Sequence, residues 1–368
     1  MGVDAQYRRM VSAGGWSDTR FTERVGVELP IVQAPMAGAG GSALAIAASR
    51  GGALGSLPCG MASPEAVRAE VAAFRGASAG PVNLNFFCHT LPDGVDEDAW
   101  RALLAPFYAE LGIADANASA PLRAPFDEAM CALVEEVRPE VVSFHFGLPA
   151  PALFDRIRAA SALVFGNATN VAEARWLADR GVDFIIAQGW EAGGHSGRFL
   201  GADPAEQMGL FALLPQIADS VEVPVIAAGG IADARGIAAA FMLGAAAVQI
   251  GSAYLRTPES LVSQMHRAGL ASEAAEHTVM TNLFSGRLAR GMRNRLIDAL
   301  GAVNPAAPPY PYASNALAPL RRAAEARSDG GFSPLWAGQA ARLGRDEPAE
   351  ALTERLGREA LALLGGRG

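Results

Sequence analysis

The residues that could do chemistry in this chain are amides, glycines and histidines that follow short apolar runs. The clearest case is "FIIAQGWEAGGHSGRF", Phe184 to Phe199, where an apolar run gives way to Gln188, Trp190, Glu191, Gly193–Gly194 and His195. An imidazole placed there can serve as a base or a hydrogen-bond donor near neutral pH. "SFHFG" adds His145, which alternates with Phe144 and Phe146, shares a face with Ser143 and reads as a pocket-wall residue. "NLNFF" adds Asn85, "QAPM" ends in Met36, "AAGG" ends in Gly230, and "QIGS" holds Gln249, Ile250, Gly251 and Ser252. Buried strands seldom carry Gln, Asn or His without partners. A whole set at the ends of several strands therefore reads as the lining of a ligand pocket. His89 falls near the same mouth, whereas His266 and His277 read as surface or packing residues.

Other chemistries are excluded or disfavoured. All 30 basic residues are arginine, so Schiff-base and pyridoxal-phosphate mechanisms lack their amine and a P-loop lacks its lysine. "EAGGH" lacks the helical spacing of a zinc-protease site, and no metal cluster is apparent. The serines show no nucleophile elbow. Cys59, Cys88 and Cys131 are scattered and odd in number, fitting small buried side chains rather than a disulfide framework.

The elements that must position these groups are visible as short apolar runs alternating with amphipathic ones. Strands are expected at Pro30–Met36, Gly52–Leu57, Pro81–Phe87, Val141–Gly147, Leu163–Thr169, Phe184–Gly189, Pro224–Gly230 and Ala247–Leu255. Near-continuous apolar runs suit parallel strands covered on both faces. Helices follow them. "NVAEARWLADRG" has Asn170 as cap and Gly181 as stop, and "DARGIAAAFMLG" has Asp233 and Gly244. Eight such units predict an α/β fold, a (β/α)8 barrel, with a doubly wound sheet as the alternative. Residues 1–255 would form the barrel, with an insertion at about 88–140 acting as a lid. Residues 256–368 would form a mainly helical extension over the barrel mouth. Two glycine sites after the seventh and eighth strands, Gly229–Gly230 and Gly251–Ser252, suit a phosphate bound by backbone N–H groups. A flavin mononucleotide or a sugar phosphate would fit, and Asn85 and Gln188 could bond a flavin ring while staying neutral.

Composition sets the outer bounds. The 368 residues are 51% hydrophobic and 18% charged, with a net charge of −8. That balance and the lack of a basic run argue against nucleic-acid binding. No run is long enough to span a membrane, and no apolar leader opens the chain. A cytoplasmic location is expected, and a homodimer is left open.

With these residues in place, the sequence resembles the nitronate monooxygenase family. The matching stretches include "QAPMAGAGGSALAIAASRGGALGSL", "NLNFFCH", "VVSFHFGLP", "FIIAQGWEAGGHSGRF", "PVIAAGGIADARGIAAAFMLGAAAVQIGSAYL", "PYPYASNALAPLRRAA" and "WAGQAARL". The resemblance implies a TIM-type barrel that binds FMN non-covalently. It implies flavin contacts at Met36, Asn85, Gln188, Gly193, Gly230, Gln249, Ile250, Gly251 and Ser252, and a catalytic His195. The implied reaction oxidises an alkyl nitronate with O2 to a carbonyl compound and nitrite, with His195 as base when the substrate is a neutral nitroalkane. The Gly/Ala-rich "AGAGGSA" and the bulky Trp190 depart from the expected pattern and would reshape the substrate pocket. The alternatives are an FMN-dependent enoyl-thioester reductase using NAD(P)H and a non-catalytic flavin-binding protein.

Overall fold

The computed structural model describes residues 15–114, 122–160, 162–201 and 206–365. Eight parallel strands form one sheet: β1 (Ile31–Gln33), β2 (Gly55–Pro58), β3 (Val82–Phe87), β4 (Val141–His145), β5 (Leu163–Ala168), β6 (Phe184–Gln188), β8 (Val225–Ala228) and β9 (Ala247–Ile250). Chain neighbours pair in turn, and β1 pairs with β9 through Val32 and Gln249. A parallel bridge between Val32 and Leu54 joins the two remaining edges and closes the barrel. The eight expected strands are all present, most of them shorter than expected, and the second is shifted to Gly55–Pro58 from the expected Gly52–Leu57.

The barrel is a packed core rather than a pore. The short helix Arg20–Val25 buries Phe21 and Val25. Phe21 meets Phe184 edge-on at 5.3 Å, and Phe165 meets Phe184 at 5.0 Å. Val141, Leu163 and Phe184 open their strands, so this plug fills the amino-terminal end and leaves the carboxyl end for the polar residues. The helix Val171–Ala178 starts where Asn170 Oδ1 accepts from Glu173 N at 2.9 Å, and Ala234–Met242 starts where Asp233 accepts from Arg235 N and Gly236 N. These caps satisfy N–H groups that a helix start leaves unpaired.

The regions outside the strands divide differently from the expectation. Within 88–140, the helix Glu128–Val137 packs on Pro64–Ala77 and Pro151–Ala159 in the barrel's outer ring. Only Asp98–Leu111 leaves the ring; it packs on Ala313–Glu325 and buries Trp100, Leu104 and Tyr108 with Leu283, Phe284, Leu296 and Phe332 in a second core. Residues 115–121 of the expected lid lie outside the described residues. The last helix, Ala349–Gly365, does not cover the mouth. It packs on Ser42–Arg50 and Ala234–Met242 and joins the barrel's own core through Leu352, Leu356 and Leu361. The extension is also not purely helical. It supplies β10 (Thr278–Thr281) and β11 (Ala289–Met292), which pair antiparallel with each other, and β11 pairs antiparallel in turn with a two-residue strand, β7 (Gly194–His195).

Candidate active site

His195 is held from three sides. Its strand β7 pairs with β11 through Ala289, and Ser196 N donates to Leu288 O at 2.9 Å. Its own carbonyl accepts from Gln188 Nε2 at 2.9 Å and from His145 Nε2 at 3.2 Å. Gln188 Oε1 in turn accepts from Gly197 N at 2.7 Å and from Asn167 Nδ2 at 3.2 Å. Further on, the buried Glu173 carboxylate accepts from Phe199 N, Leu200 N, Thr169 N and Thr169 Oγ1. A loop rich in glycine is thus fixed by side chains at the ends of β4, β5 and β6, and gives up little mobility on binding.

The His195 ring sits among aromatic rings: Tyr310 at 5.4 Å, Trp336 at 5.5 Å and Phe146 at 6.1 Å between centroids. Phe146 adopts φ 70°, a left-handed backbone that costs a bulky residue free energy. That conformation sets its ring against His145, His195 and Tyr310, with the Arg287 guanidinium 4.0 Å above it. Nε2 of His195 lies 2.8 Å from Ser285 Oγ.

The electrostatics keep these imidazoles neutral. Burial, and then the neighbouring Arg123, His145, Arg287 and His89, hold His195 well below the usual histidine value. Burial and Arg287 push His145 down to about 4, and burial does the same to His266, whose Nε2 donates to Trp336 O at 3.0 Å. An unfolded histidine titrates near 6.5. Between about 4 and that value the unfolded chain binds more protons than the folded one, so stability falls as the pH falls. His145 and His266 should each account for a loss of roughly 2 kcal/mol between pH 7 and pH 5. Thermal melts should show a lower Tm at pH 5 and a shallower fall in His266→Gln, whose amide can still reach the carbonyl. An unchanged slope in that variant would contradict the assignment.

The expected flavin residues occupy different surroundings. Asn85 donates through Nδ2 to Ser143 O and Oγ, at 3.2 and 2.9 Å, and its Oδ1 has no hydrogen bond among the described residues. Gln249 Oε1 is buried without a partner among the described residues. Gly229 and Gly230 take φ 106° and 70°, turns that only glycine enters without strain. Ser252 Oγ accepts from Gly338 N at 2.8 Å. Met36 is partly buried, and its carbonyl accepts from Ala39 N and Gly40 N. At three of the expected positions the structure shows particular protein neighbours. Ile250 is fully buried in the barrel's outer core, and its carbonyl accepts from Ala34 N, so its side chain is not at the cup. A Cβ on Gly193 would lie 2.5 Å from Gly338 N and 2.7 Å from Ala337 C, so this glycine admits the extension's backbone. The Trp190 ring lies under the Arg290 guanidinium at 5.4 Å, and Arg290 Nε donates to Trp190 O; no ring contact to His195 is found among the described residues.

The residues that sequence reasoning missed come mostly from the extension. Ser285, Arg287, Tyr310 and Trp336 surround His195 from positions 90 or more residues on. "PYPYASNALAPLRRAA" and "WAGQAARL" carried the family resemblance, with no role assigned to Tyr310 or Trp336. Arg123, on the inserted segment, lies 5.8 Å over the Tyr310 ring and walls a cavity of about 440 Å³ with Phe87, Phe126, Phe284 and Phe332. The cavity wall includes neither His195 nor any of the expected flavin residues, though the Tyr310 ring under Arg123 lies 5.4 Å from that of His195. The three cysteines are free, and burial raises the Cys59 thiol to about 12 and Cys88 higher still, so neither is a thiolate at neutral pH.

Fold and site together define a barrel with a polar cup at its strand ends, where barrel enzymes place their chemistry. The chain belongs to the nitronate monooxygenase family, whose model matches residues 18–359, and it is an oxidoreductase of that family. It is 41% identical over 345 residues to a nitronate monooxygenase of Paraburkholderia phytofirmans, covering 91% of this chain and 93% of the relative. It is 40% identical to one of Pseudomonas aeruginosa, covering 92% and 97%. Among solved structures it is similar to a nitroalkane oxidase of Streptomyces ansochromogenes, with TM-score 0.85, 35% identity and coverage of 94% and 99%. FabK from Thermotoga maritima is similar at TM-score 0.72 and 26% identity, covering 94% and 97%. Among the described residues, no helix is long and apolar enough to cross a membrane.

Proposed function

We propose that the chain oxidises alkyl nitronates with O2 to a carbonyl compound and nitrite, using FMN, with His195 at the substrate. The observation that carries this reading is His195 fixed at the barrel mouth, its Nε2 2.8 Å from Ser285 Oγ and its ring walled by Phe146, Tyr310 and Trp336, with the Arg287 and Arg123 guanidinium groups over Phe146 and Tyr310. Arg123 and Arg287 are the charged side chains acting on it, and both are cations. Such a field favours an anion over a neutral ligand. It suits a nitronate, and a neutral nitroalkane once its α-proton has gone to the imidazole.

The residues present fit FMN. Gln249 Oε1 and Asn85 Oδ1 are acceptors without partners among the described residues, and Gly229–Gly230 turn through a positive-φ backbone that only glycine enters without strain. Asn85, Gln188, Gln249 and the Gly229–Gly230 and Gly251–Ser252 turns would hold the cofactor, with Met36 along one edge. Bound FMN supplies the electron transfer between substrate and O2. His195 accepts or holds the substrate proton, Arg123 and Arg287 draw the anion in, and Phe146, Tyr310 and Trp336 exclude water. A cytoplasmic enzyme acting on a small molecule and O2 belongs to the same proposal.

The purified protein should be yellow or become so with FMN, and should consume O2 with an alkyl nitronate in the absence of NAD(P)H. A protein that takes up no FMN overturns the reading. Turnover only with NAD(P)H and an enoyl thioester would assign it to the reductase alternative.

A further inference from the structure

We infer that Ser285 is a positioning residue that sets the tautomer of His195 and makes Nδ1 the ring nitrogen that handles the substrate proton; this rests on His195 acting at the substrate. The two ring nitrogens are not equivalent here. Nε2 is occupied by Ser285 Oγ at 2.8 Å. Nδ1 makes no hydrogen bond to the described residues, and it is not among the buried polar atoms left without a partner. It is the nitrogen a ligand can reach.

The hydroxyl decides where the ring proton sits. A serine Oγ carries one hydrogen and two lone pairs. Ser285 Oγ lies 3.2 Å from Arg287 O, a carbonyl that can only accept, so the single hydrogen goes there. Arg287 N, at 3.5 Å, donates back to Oγ. What remains on Oγ is acceptor capacity, which takes a hydrogen from Nε2. A neutral imidazole with Nε2–H has its lone pair on Nδ1. The reachable nitrogen and the basic nitrogen are then the same atom.

The other three fixed histidines show the same arrangement of Nε2 toward an acceptor. His145, His89 and His266 each donate from Nε2 to a backbone carbonyl: His195 O, Arg123 O and Trp336 O. His195 alone of the four meets a hydroxyl. When Nδ1 takes a proton, Nε2–H keeps the same acceptor, so no partner has to move during the transfer. Ser285 is buried and lies in the extension, so the extension completes the site rather than only covering it.

The test is nitrogen NMR of the FMN-loaded protein carrying ¹⁵N-histidine at neutral pH. The His195 signals are identified by their loss in His195→Asn. The expected result is a protonated Nε2 and an unprotonated Nδ1. The reverse pattern overturns the proposal, and this readout needs no activity. In Ser285→Ala the tautomer preference should weaken, and kcat for a neutral nitroalkane should fall roughly 10- to 100-fold with little change for the preformed nitronate. Ser285→Thr, which keeps the hydroxyl, should restore both. An unaltered tautomer and an unaltered pH profile in Ser285→Ala also overturn it. If His195→Asn leaves nitroalkane oxidation intact, the base reading of His195 fails and the proton-handling role of Nδ1 falls with it. The NMR pattern would still report whether Ser285 sets the tautomer.

Discussion

His195→Asn is expected to lower kcat/KM for a neutral nitroalkane by roughly 10²- to 10⁴-fold, the usual contribution of a positioned acid–base group. The same variant should lose less than about 10-fold on the preformed nitronate, which has no α-proton to surrender. Asparagine is neutral, as the buried imidazole is at pH 7, so the substitution brings no charge into the aromatic enclosure. The low basicity of His195 has a second consequence. A base held well below its usual pKa is in the right protonation state at neutral pH, yet it is a weak proton acceptor. Nitronates should therefore be the faster substrates in the wild type. Equal losses on both substrates, measured as O2 uptake at several pH values, would remove His195 as base and leave it a binding group.

Much of the frame behind that experiment was legible in the chain. Parallel barrel strands are covered on both faces, so they read as apolar runs, and the polar residues at their carboxyl ends stood out against that background. Asn85, Gln188 and Gln249 were visible for this reason. Alternation carried more information than was taken from it. In β9, Val248 and Ile250 share one face and Gln249 takes the other, so Ile250 belongs to the core from its position alone. Gly193 misled because a missing side chain says only that something approaches closely, and the structure gives Ala337–Gly338 as the neighbour. The partners of His195 were hidden for a different reason. Ser285, Tyr310 and Trp336 reach it through strand pairing and packing across ninety residues or more, and no local period records such contacts. A two-residue strand like β7 exists only because β11 pairs with it.

Gly197→Ala should be a damaging single-methyl change at the site. A Cβ there would lie 2.0 Å from Asn167 Nδ2 and 2.7 Å from His145 Cε1. Neither neighbour can retreat cheaply. Asn167 is buried and donates to Gln188 Oε1, and His145 is pinned to His195 O. The loop must shift instead, which stretches Gly197 N to Gln188 Oε1 and then Gln188 Nε2 to His195 O. Overpacking of this kind costs about 1–3 kcal/mol, which in a chain of this length lowers Tm by only a few degrees. Activity should suffer more, because a shift of about 1 Å at a reacting group can cost roughly 10²-fold. Gly76→Ala is the matched control. It lies inside the helix Pro64–Ala77, where an added Cβ meets nothing within 4 Å. Alanine there should hold or raise stability by up to about 1 kcal/mol with activity unchanged. Wild-type activity in Gly197→Ala would mean that the Gln188–His195–His145 network does not position the imidazole.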